Sequence, residues 1–354
     1  MENGYLVLET GEVYPGRWLG GKSQGGEVVF NTSHSGYEEI ATDPSYFSQI
    51  VIMTAPMQGN YGSSRECWES RKLWISGFVS LELQRSARDE SWFKQLEDNG
   101  IPIVTGIDTR SAVLRLRDYG VVMGALVKAK TEQDAVAASR ALIAQKKDLP
   151  PDWCHLVSRE KLEVYPGGKK GGPRVAVIDF GCKENILREV RSRCSEVAVF
   201  PCRTPASEIR KWGPDGILLS NGPGDPEGVE IACDTIKSLL GWKFIFGICM
   251  GCQVLARALG ARTYKLKFGH RGGNHPVKDQ LLNQIYMTSQ NHGYAVDEKT
   301  LPREVAISHI NLYDKTVEGI NYPEKKCMAV QFHPESHPGP RDAKNLFDYF
   351  VERL

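Results

Sequence analysis

The chain has 354 residues, more than one average domain holds, so length alone points to two domains. Its 44 basic and 43 acidic side chains leave a formal charge of +1, which supplies no broad basic field for a nucleic acid or an anionic membrane. The opening MENGYLVLETGEVYPG lacks a basic segment followed by an apolar core, and nine cysteines are scattered from Cys67 to Cys327; with no run near the ~18 apolar residues of a membrane span, free thiols in a reducing cytoplasm are expected.

Taken in chain order, 27–40 (EVVFNTSHSGYEEI) and 48–56 (SQIVIMTAP) read as strands between turns, and 91–99, 109–119 and 131–147 read as helices. These make residues 1–150 a separate mixed α/β domain whose topology stays open. The segment 165–173, YPGGKKGGP, crowds glycine and proline together, so 151–173 reads as a linker. The texture then changes. RVAVIDF (174–180) is an apolar, β-branched run of buried-strand length, followed by a helical spacing at 182–193 and a strand at 196–200. A short helix at 205–212 begins at Pro205. DGILLSNGPGDP (215–226) is a strand that ends in a Gly/Pro/Asn/Asp loop. Residues 227–240 are helical, KFIFGI (243–248) is a strand, and MGCQVLARALG is a helix closed by Gly260. Alternation of this kind predicts an open, mostly parallel sheet flanked by helices over 174–354. Leu346, Phe347, Phe350, Val351 and Leu354 predict a closing surface helix with one apolar face.

In such a sheet, sites form beyond the carboxyl ends of the strands, and three motifs stand there. KFIFGI runs straight into Cys249, giving G-x-C-x-G, the thiol counterpart of the nucleophile elbow. Gly247 and Gly251 leave room for a sharp turn, the helix N-terminus favours a thiolate, and the Met250 N–H is placed to meet an oxyanion. The same stretch, GICMGCQ, admits two other readings: a Cys249–Cys252 dithiol and half of a metal site. A buried structural cysteine is the plain alternative. AVQFHPES places His333 and Glu335 at the end of a short strand, where the carboxylate can orient the imidazole as acid and base. SNGPGDP (220–226) exposes backbone N–H groups that can serve as a second oxyanion donor, or is simply a tight turn.

LLSNGPGDP, FGICMGCQ and VQFHPE, in this order, resemble the class I (triad) glutamine amidotransferases across about 174–354. GEVVFNTSHSGYEEIATDPSYFSQIV (26–51), GIDTRSAVLRLRDYG (106–120), VIDFGCKENILR (177–188), FGHRGGNHPV (268–277) and TSQNHGYAVD (288–297) resemble the carbamoyl-phosphate synthase small chains over nearly the whole length. This resemblance implies a class I glutaminase-like fold and hydrolysis of L-glutamine through a γ-glutamyl-cysteine thioester. Cys249 would be the nucleophile, His333 the acid and base, and Glu335 its orienter. Glutamine-site positions would be Ser45, Gly222, Gly224, Met250, Gln253, Asn291, Gly293 and Tyr294, with Ser45 bringing the first domain to the pocket. It further implies a separate large chain that uses ATP, with Mg or Mn, and bicarbonate to make carbamoyl phosphate for arginine or pyrimidine synthesis. No cofactor or metal is expected on this chain, and larger assemblies of the heterodimer stay open. Met250 and Cys252 stand where relatives usually carry leucine and histidine, and Tyr294 where phenylalanine is usual.

Three rivals remain in view. A C-x-x-C redox protein leaves the HPE and NGPG motifs without purpose. A non-catalytic scaffold leaves the whole triad without one. A glutaminase serving another synthase, such as anthranilate or aminodeoxychorismate synthesis, would lack this N-terminal half.

Overall fold

The computed structural model describes residues 2–354 and divides into two compact units, Met1–Pro150 and Pro151–Leu354.

In the first unit the strands are β1 (Glu2–Leu8), β2 (Val13–Gly20), β3 (Gln24–Asn31), β4 (Gln49–Met53), β5 (Met57–Gln58), β6 (Gly77–Ser80), β7 (Glu82–Leu83), β8 (Ile103–Thr105) and β9 (Val122–Lys128). Seven of them close a barrel in the order β1-β2-β8-β6-β4-β3-β9, while β5 and β7 pair as a separate ribbon. Closure removes the unpaired edges that an open sheet exposes. Leu6, Val28, Ile50, Ile52, Val79, Val104 and Leu126 are among the buried residues of its core. The helices are α1 (Tyr37–Thr42), α2 (Trp92–Asp98), α3 (Thr109–Tyr119) and α4 (Glu132–Lys147). Helix α1 departs from the strands expected over 27–40. Tyr37, Ile40 and Ala41 have i, i+3, i+4 spacing, and all three are buried on one helical face. Tyr37 there stacks on Tyr61 at 4.3 Å between ring centroids.

The second unit contains α5 (Trp153–Val157), β10 (Glu163–Pro166), β11 (Arg174–Asp179), α6 (Glu184–Arg191), β12 (Glu196–Pro201), α7 (Ala206–Trp212), β13 (Gly216–Leu219), α8 (Glu230–Leu239), β14 (Phe244–Ile248) and α9 (Met250–Ala258). The long strands β15 (Thr263–Asp279) and β16 (Gln284–Val296) follow, then β17 (Ala306–Asn311), β18 (Val317–Tyr322), β19 (Cys327–Val330) and α10 (Asn345–Val351). They form a ten-stranded sheet in the order β10-β12-β11-β13-β14-β19-β18-β16-β15-β17. Strands β12, β11, β13, β14 and β19 pair in parallel, and antiparallel strands extend this centre on both sides. Helices cover both faces. Ile209, Ile236, Leu239 and Leu255 from α7, α8 and α9 pack on one, while Ile186, Val190, Phe347 and Phe350 from α6 and α10 pack on the other. No helix among the described residues is long and apolar enough to cross a membrane.

The stretch 151–173, expected to be a linker, is instead folded into this unit. Asp152 caps α5 by accepting the His155 N–H at 3.0 Å, and β10 pairs antiparallel with β12 at the sheet edge, where Pro166 is tolerated. Gly167 is required by close packing: a Cβ there would lie 1.9 Å from the Cys194 carbonyl oxygen. Of the glycines that resembled a flexible connection, Gly167 and Gly172 run against the Arg193–Cys194 backbone, while Gly171 takes φ +73° in open space.

Candidate active site

Three adjacent parallel strands, β13, β14 and β19, carry the three motifs at their carboxyl ends. Leu219 pairs with Gly247 across β13 and β14, and Ile248 pairs with Val330 across β14 and β19. The register therefore brings Ser220–Gly222, Cys249 and the segment leading to His333 to one end of the sheet.

Cys249 caps α9 at φ 54°, ψ −104°, a conformation that costs a β-carbon-bearing residue on the order of 1–3 kcal/mol. The surroundings hold it there. Its N–H donates to the Val330 carbonyl at 2.9 Å, and its own carbonyl accepts from Cys252 and Gln253. Its Sγ lies 3.6 Å from the Asn291 carbonyl oxygen. The flanking glycines are obligatory: a Cβ on Gly247 would meet Gly251 O at 2.7 Å, and one on Gly251 would meet Leu219 O at 2.3 Å. The Met250 N–H, in the first turn of α9, lacks an acceptor within the helix by helical geometry. The Gly251 N–H donates to Ser220 O at 3.0 Å, which ties the NGPG loop to the elbow. In that loop Gly222 runs against Phe180, whose carbonyl oxygen would be 2.3 Å from an added Cβ. Gly224 has φ +90°, beside Trp153.

His333 is held by its N–H, which donates to Ser289 O at 2.9 Å, and by its Nδ1, 2.7 Å from Glu335 Oε1. A carboxylate there accepts, so the proton sits on Nδ1. Nε2 is buried and makes no hydrogen bond, leaving it open toward the thiol side. Glu335 is fully buried. Its Oε1 lies 3.2 Å from Lys183 Nζ, and that ammonium also donates to the carbonyls of Ser336 at 2.6 Å and His337 at 2.7 Å. The Asn185 amide donates to the Glu335 carbonyl at 2.6 Å. Neither Lys183 nor Asn185 was singled out from the sequence; the only trace was the KEN tripeptide after FGC, whose partners lie about 150 positions downstream.

Burial disfavours the His333 imidazolium, yet the Glu335 carboxylate and the Cys249 sulfur override it and push the ring up to about 10. Burial likewise opposes the Glu335 carboxylate, and the Lys183 and His333 charges hold it down to about 2. The His333–Glu335 attraction is common to both shifts, while the Lys183 charge acts on Glu335 and the Cys249 sulfur on His333. His333 adds stability that is fully present below its ordinary 6.5 and is lost as pH climbs through about 10. The Glu335 contribution is present above its ordinary 4.5 and is lost as pH falls through about 2. Urea unfolding should therefore show stability falling between pH 6.5 and 10, with a flatter profile in Glu335→Gln. A slope that the substitution leaves untouched would place the titrating group elsewhere.

The remaining expected positions are placed as follows. Gln253 is buried, and its amide donates to Tyr294 O at 2.9 Å and Gln331 Oε1 at 3.1 Å. Asn291, Gly293 and Tyr294 follow one another on β16, with the Asn291 carbonyl facing Cys249. Ser45 belongs to the first unit, in the short 3-10 turn Pro44–Tyr46, where its N–H donates to Asp43 Oδ1 at 2.9 Å. Cys252 is fully buried among the residues packed on one face of the sheet, while Cys249 belongs to the cluster on the other. Burial and the nearby Cys249 charge push the Cys252 thiol well up, so it stays protonated and unreactive.

This arrangement offers a thiol on a strained turn, an imidazole poised by a buried carboxylate, and two backbone segments for an oxyanion. Such a set can attack a carbonyl carbon and return a proton to the leaving group.

Residues 176–353 match the model of the family described as Glutamine amidotransferase class-I. Residues 6–126 match that of the Carbamoyl-phosphate synthase small chain, CPSase domain. The carbamoyl phosphate synthase small chain of Fusobacterium nucleatum is 44% identical over 360 residues, covering 100% of this chain and 99% of its own. That of Chlorobaculum tepidum is 44% identical over 359 residues, covering 99% and 97%, and that of Bacillus caldolyticus is 43% identical over 354 residues, covering 98% and 95%. Similarity of this extent across both units shows that the chain belongs to the carbamoyl phosphate synthase small chain family.

Proposed function

We propose that Cys249, His333 and Glu335 hydrolyse L-glutamine to glutamate and ammonia as the glutaminase step of carbamoyl phosphate synthesis. The observation that carries this reading is the Cys249 turn, held at positive φ beside an imidazole whose Nδ1 is fixed 2.7 Å from Glu335. In the first half-reaction the thiolate of Cys249 attacks the side-chain amide carbon, and the oxyanion is met by the N–H groups of Met250 and Gly222. The imidazolium of His333 gives its Nε2 proton to the departing amine, which leaves as ammonia, and a γ-glutamyl thioester remains on Cys249. In the second, neutral His333 takes a proton from water, hydroxide adds to the thioester, and glutamate departs as the thiolate reforms. Glu335 keeps the ring in the tautomer that serves both steps. Gly224, Gln253, Asn291, Gly293 and Tyr294 would hold the substrate.

The ammonia is delivered to a separate large chain that carries the bicarbonate, ATP and divalent-metal chemistry, in the cytoplasm, for arginine or pyrimidine synthesis. The family membership and the triad support this reading. Co-purification with a large chain, followed by carbamoyl phosphate formation from glutamine and from ammonia, tests it. The complex should use both nitrogen sources, and the small chain alone should release glutamate only slowly. A complex that uses ammonia but never glutamine would favour a non-catalytic scaffold.

A further inference from the structure

Away from the triad, strands β15, β16 and β18 bring together a second group of side chains that the glutaminase reading leaves unused. His270 and His292 are direct cross-strand partners in the β15–β16 register, and Glu318 on β18 lies beside both. All three are buried, with His270 6% exposed, His292 5% and Glu318 0%. One ligand atom from each falls within 4.8 Å of the others.

We propose that His270, His292 and Glu318 form a binding site for one divalent transition-metal ion of the zinc class, a structural staple across these three strands. Three observations carry it. The first is an unpartnered ring nitrogen. The Nε2 of His270 is 2.8 Å from Asp314 Oδ2, while its Nδ1 is buried without a hydrogen bond and 3.4 Å from Glu318 Oε1; a metal ion taking that position would displace the Nδ1 proton, as ligand deprotonation on binding requires. The second is a convergence of acceptors. His292 uses Nδ1–H on the Tyr294 carbonyl at 2.7 Å, so its Nε2 is a lone pair, yet it faces Gln290 Oε1 at 2.9 Å and Glu318 Oε1 at 3.9 Å. The Gln290 amide cannot simply turn over, because its Nε2 donates to Glu318 Oε2 at 3.0 Å and to Thr288 Oγ1 at 3.1 Å. Glu318 Oε1 accepts the Asn311 amide at 3.0 Å and keeps a further lone pair, so a cation here would meet it together with the facing His292 and Gln290 acceptors. The third is the outer arrangement. Metal-bound histidines ordinarily donate their second ring N–H to a carboxylate or a backbone carbonyl, and here Asp314 and Tyr294 supply one of each.

The donor set selects the ion. Two imidazoles and a carboxylate suit zinc and its first-row neighbours, whereas calcium and magnesium favour all-oxygen sites. Glu318 beside the ion and Asp314 behind His270 balance a double positive charge. Zinc ligand atoms, about 2.0–2.1 Å from the ion, stand roughly 3.3 Å apart at tetrahedral angles; the Glu318 oxygen is already 3.4 and 3.9 Å from the two ring nitrogens, and the cluster, within 4.8 Å overall, would tighten around the ion, with Gln290 Oε1 the natural fourth donor. The staple would fix β16 where the next residue, Asn291, turns its carbonyl to Cys249.

The test uses the full chain, stripped with a chelator and titrated by equilibrium dialysis with zinc and separately with cobalt. One ion should bind per chain, and the cobalt form should show visible d–d absorption without thiolate charge transfer. His270→Asn and Glu318→Gln should weaken binding at least 100-fold. Asp314→Asn keeps every inner ligand and alters a half-exposed carboxylate, so it guards against misfolding; it should weaken binding about 10–100-fold. Cys249→Ser should bind as the wild type does, and zinc should raise the melting temperature of both but not of Glu318→Gln. Absence of stoichiometric binding, a thiolate-type cobalt spectrum, or wild-type affinity in both Glu318→Gln and Asp314→Asn would overturn the proposal.

Discussion

Replacing Cys249 with serine should lower glutamine hydrolysis by at least about 10³-fold, the scale on which removal of a triad nucleophile acts. Replacing Cys252 with alanine should leave it within about two-fold. The difference follows from position. Cys249 is held at φ 54° on the turn after β14, with His333 beside it, whereas Cys252 is turned into the apolar layer on the opposite face of the sheet. Its loss to alanine removes one buried sulfur, a packing cost on the order of 1 kcal/mol, and touches no reacting atom. In the complex with a large chain, Cys249→Ser should retain ammonia-dependent carbamoyl phosphate formation. Equal losses from the two substitutions would revive the dithiol reading of the C-x-x-C pair.

The second large effect concerns Lys183, which touches neither the thiol nor the imidazole. Its ammonium is buried, 3.2 Å from Glu335 Oε1, and donates to the Ser336 and His337 carbonyls. Both of those residues have φ 58°, a left-handed conformation unusual for residues with a β-carbon. Lys183→Met should destabilise the second unit by about 3–5 kcal/mol, because it leaves a buried carboxylate short of a counter-charge. The Coulomb attraction alone is a poor guide, since both ions also give up hydration. The decisive comparison is a double-mutant cycle: in a Glu335→Gln background the same substitution should cost markedly less. Purely additive costs would show that Lys183 acts through its carbonyl contacts rather than through the charge of Glu335. Glutamine turnover should fall in Lys183→Met, since the His333 ring loses part of what fixes its orienting carboxylate.

The elements nearest the chemistry were the most legible in the sequence. The strand–Cys–helix elbow could be read because its G-x-C-x-G spacing is local, even though one of the backbone oxygens that exclude a Cβ, that of Leu219, comes from the neighbouring strand. The His333–Glu335 pair spans two positions, and its hydrogen bond is local as well. What escaped reading depends on distant contacts. Lys183 and Asn185 meet the HPES turn only through the folded sheet. The seven-stranded barrel relies on parallel pairings of β4 with β3 and β6, and of β6 with β8, which leave no periodic trace of who pairs with whom. Gly167 could not be told from a linker residue because its use, close approach to the Cys194 carbonyl, depends on another element. Helix α1 was missed for the opposite reason. Its i, i+3, i+4 apolar spacing is plainly present, but the β-branched run before it drew the strand assignment onward.

The central claim, nucleophilic attack by Cys249 on an amide carbonyl, is tested most directly by trapping the covalent intermediate. Wild-type chain in complex with its large partner would be mixed with glutamine, quenched in acid within one turnover, digested and analysed by mass spectrometry. The account predicts a γ-glutamyl adduct on the peptide bearing Cys249, absent from Cys249→Ser. An adduct on Cys252, or rapid glutamate release that persists in Cys249→Ser, would contradict it.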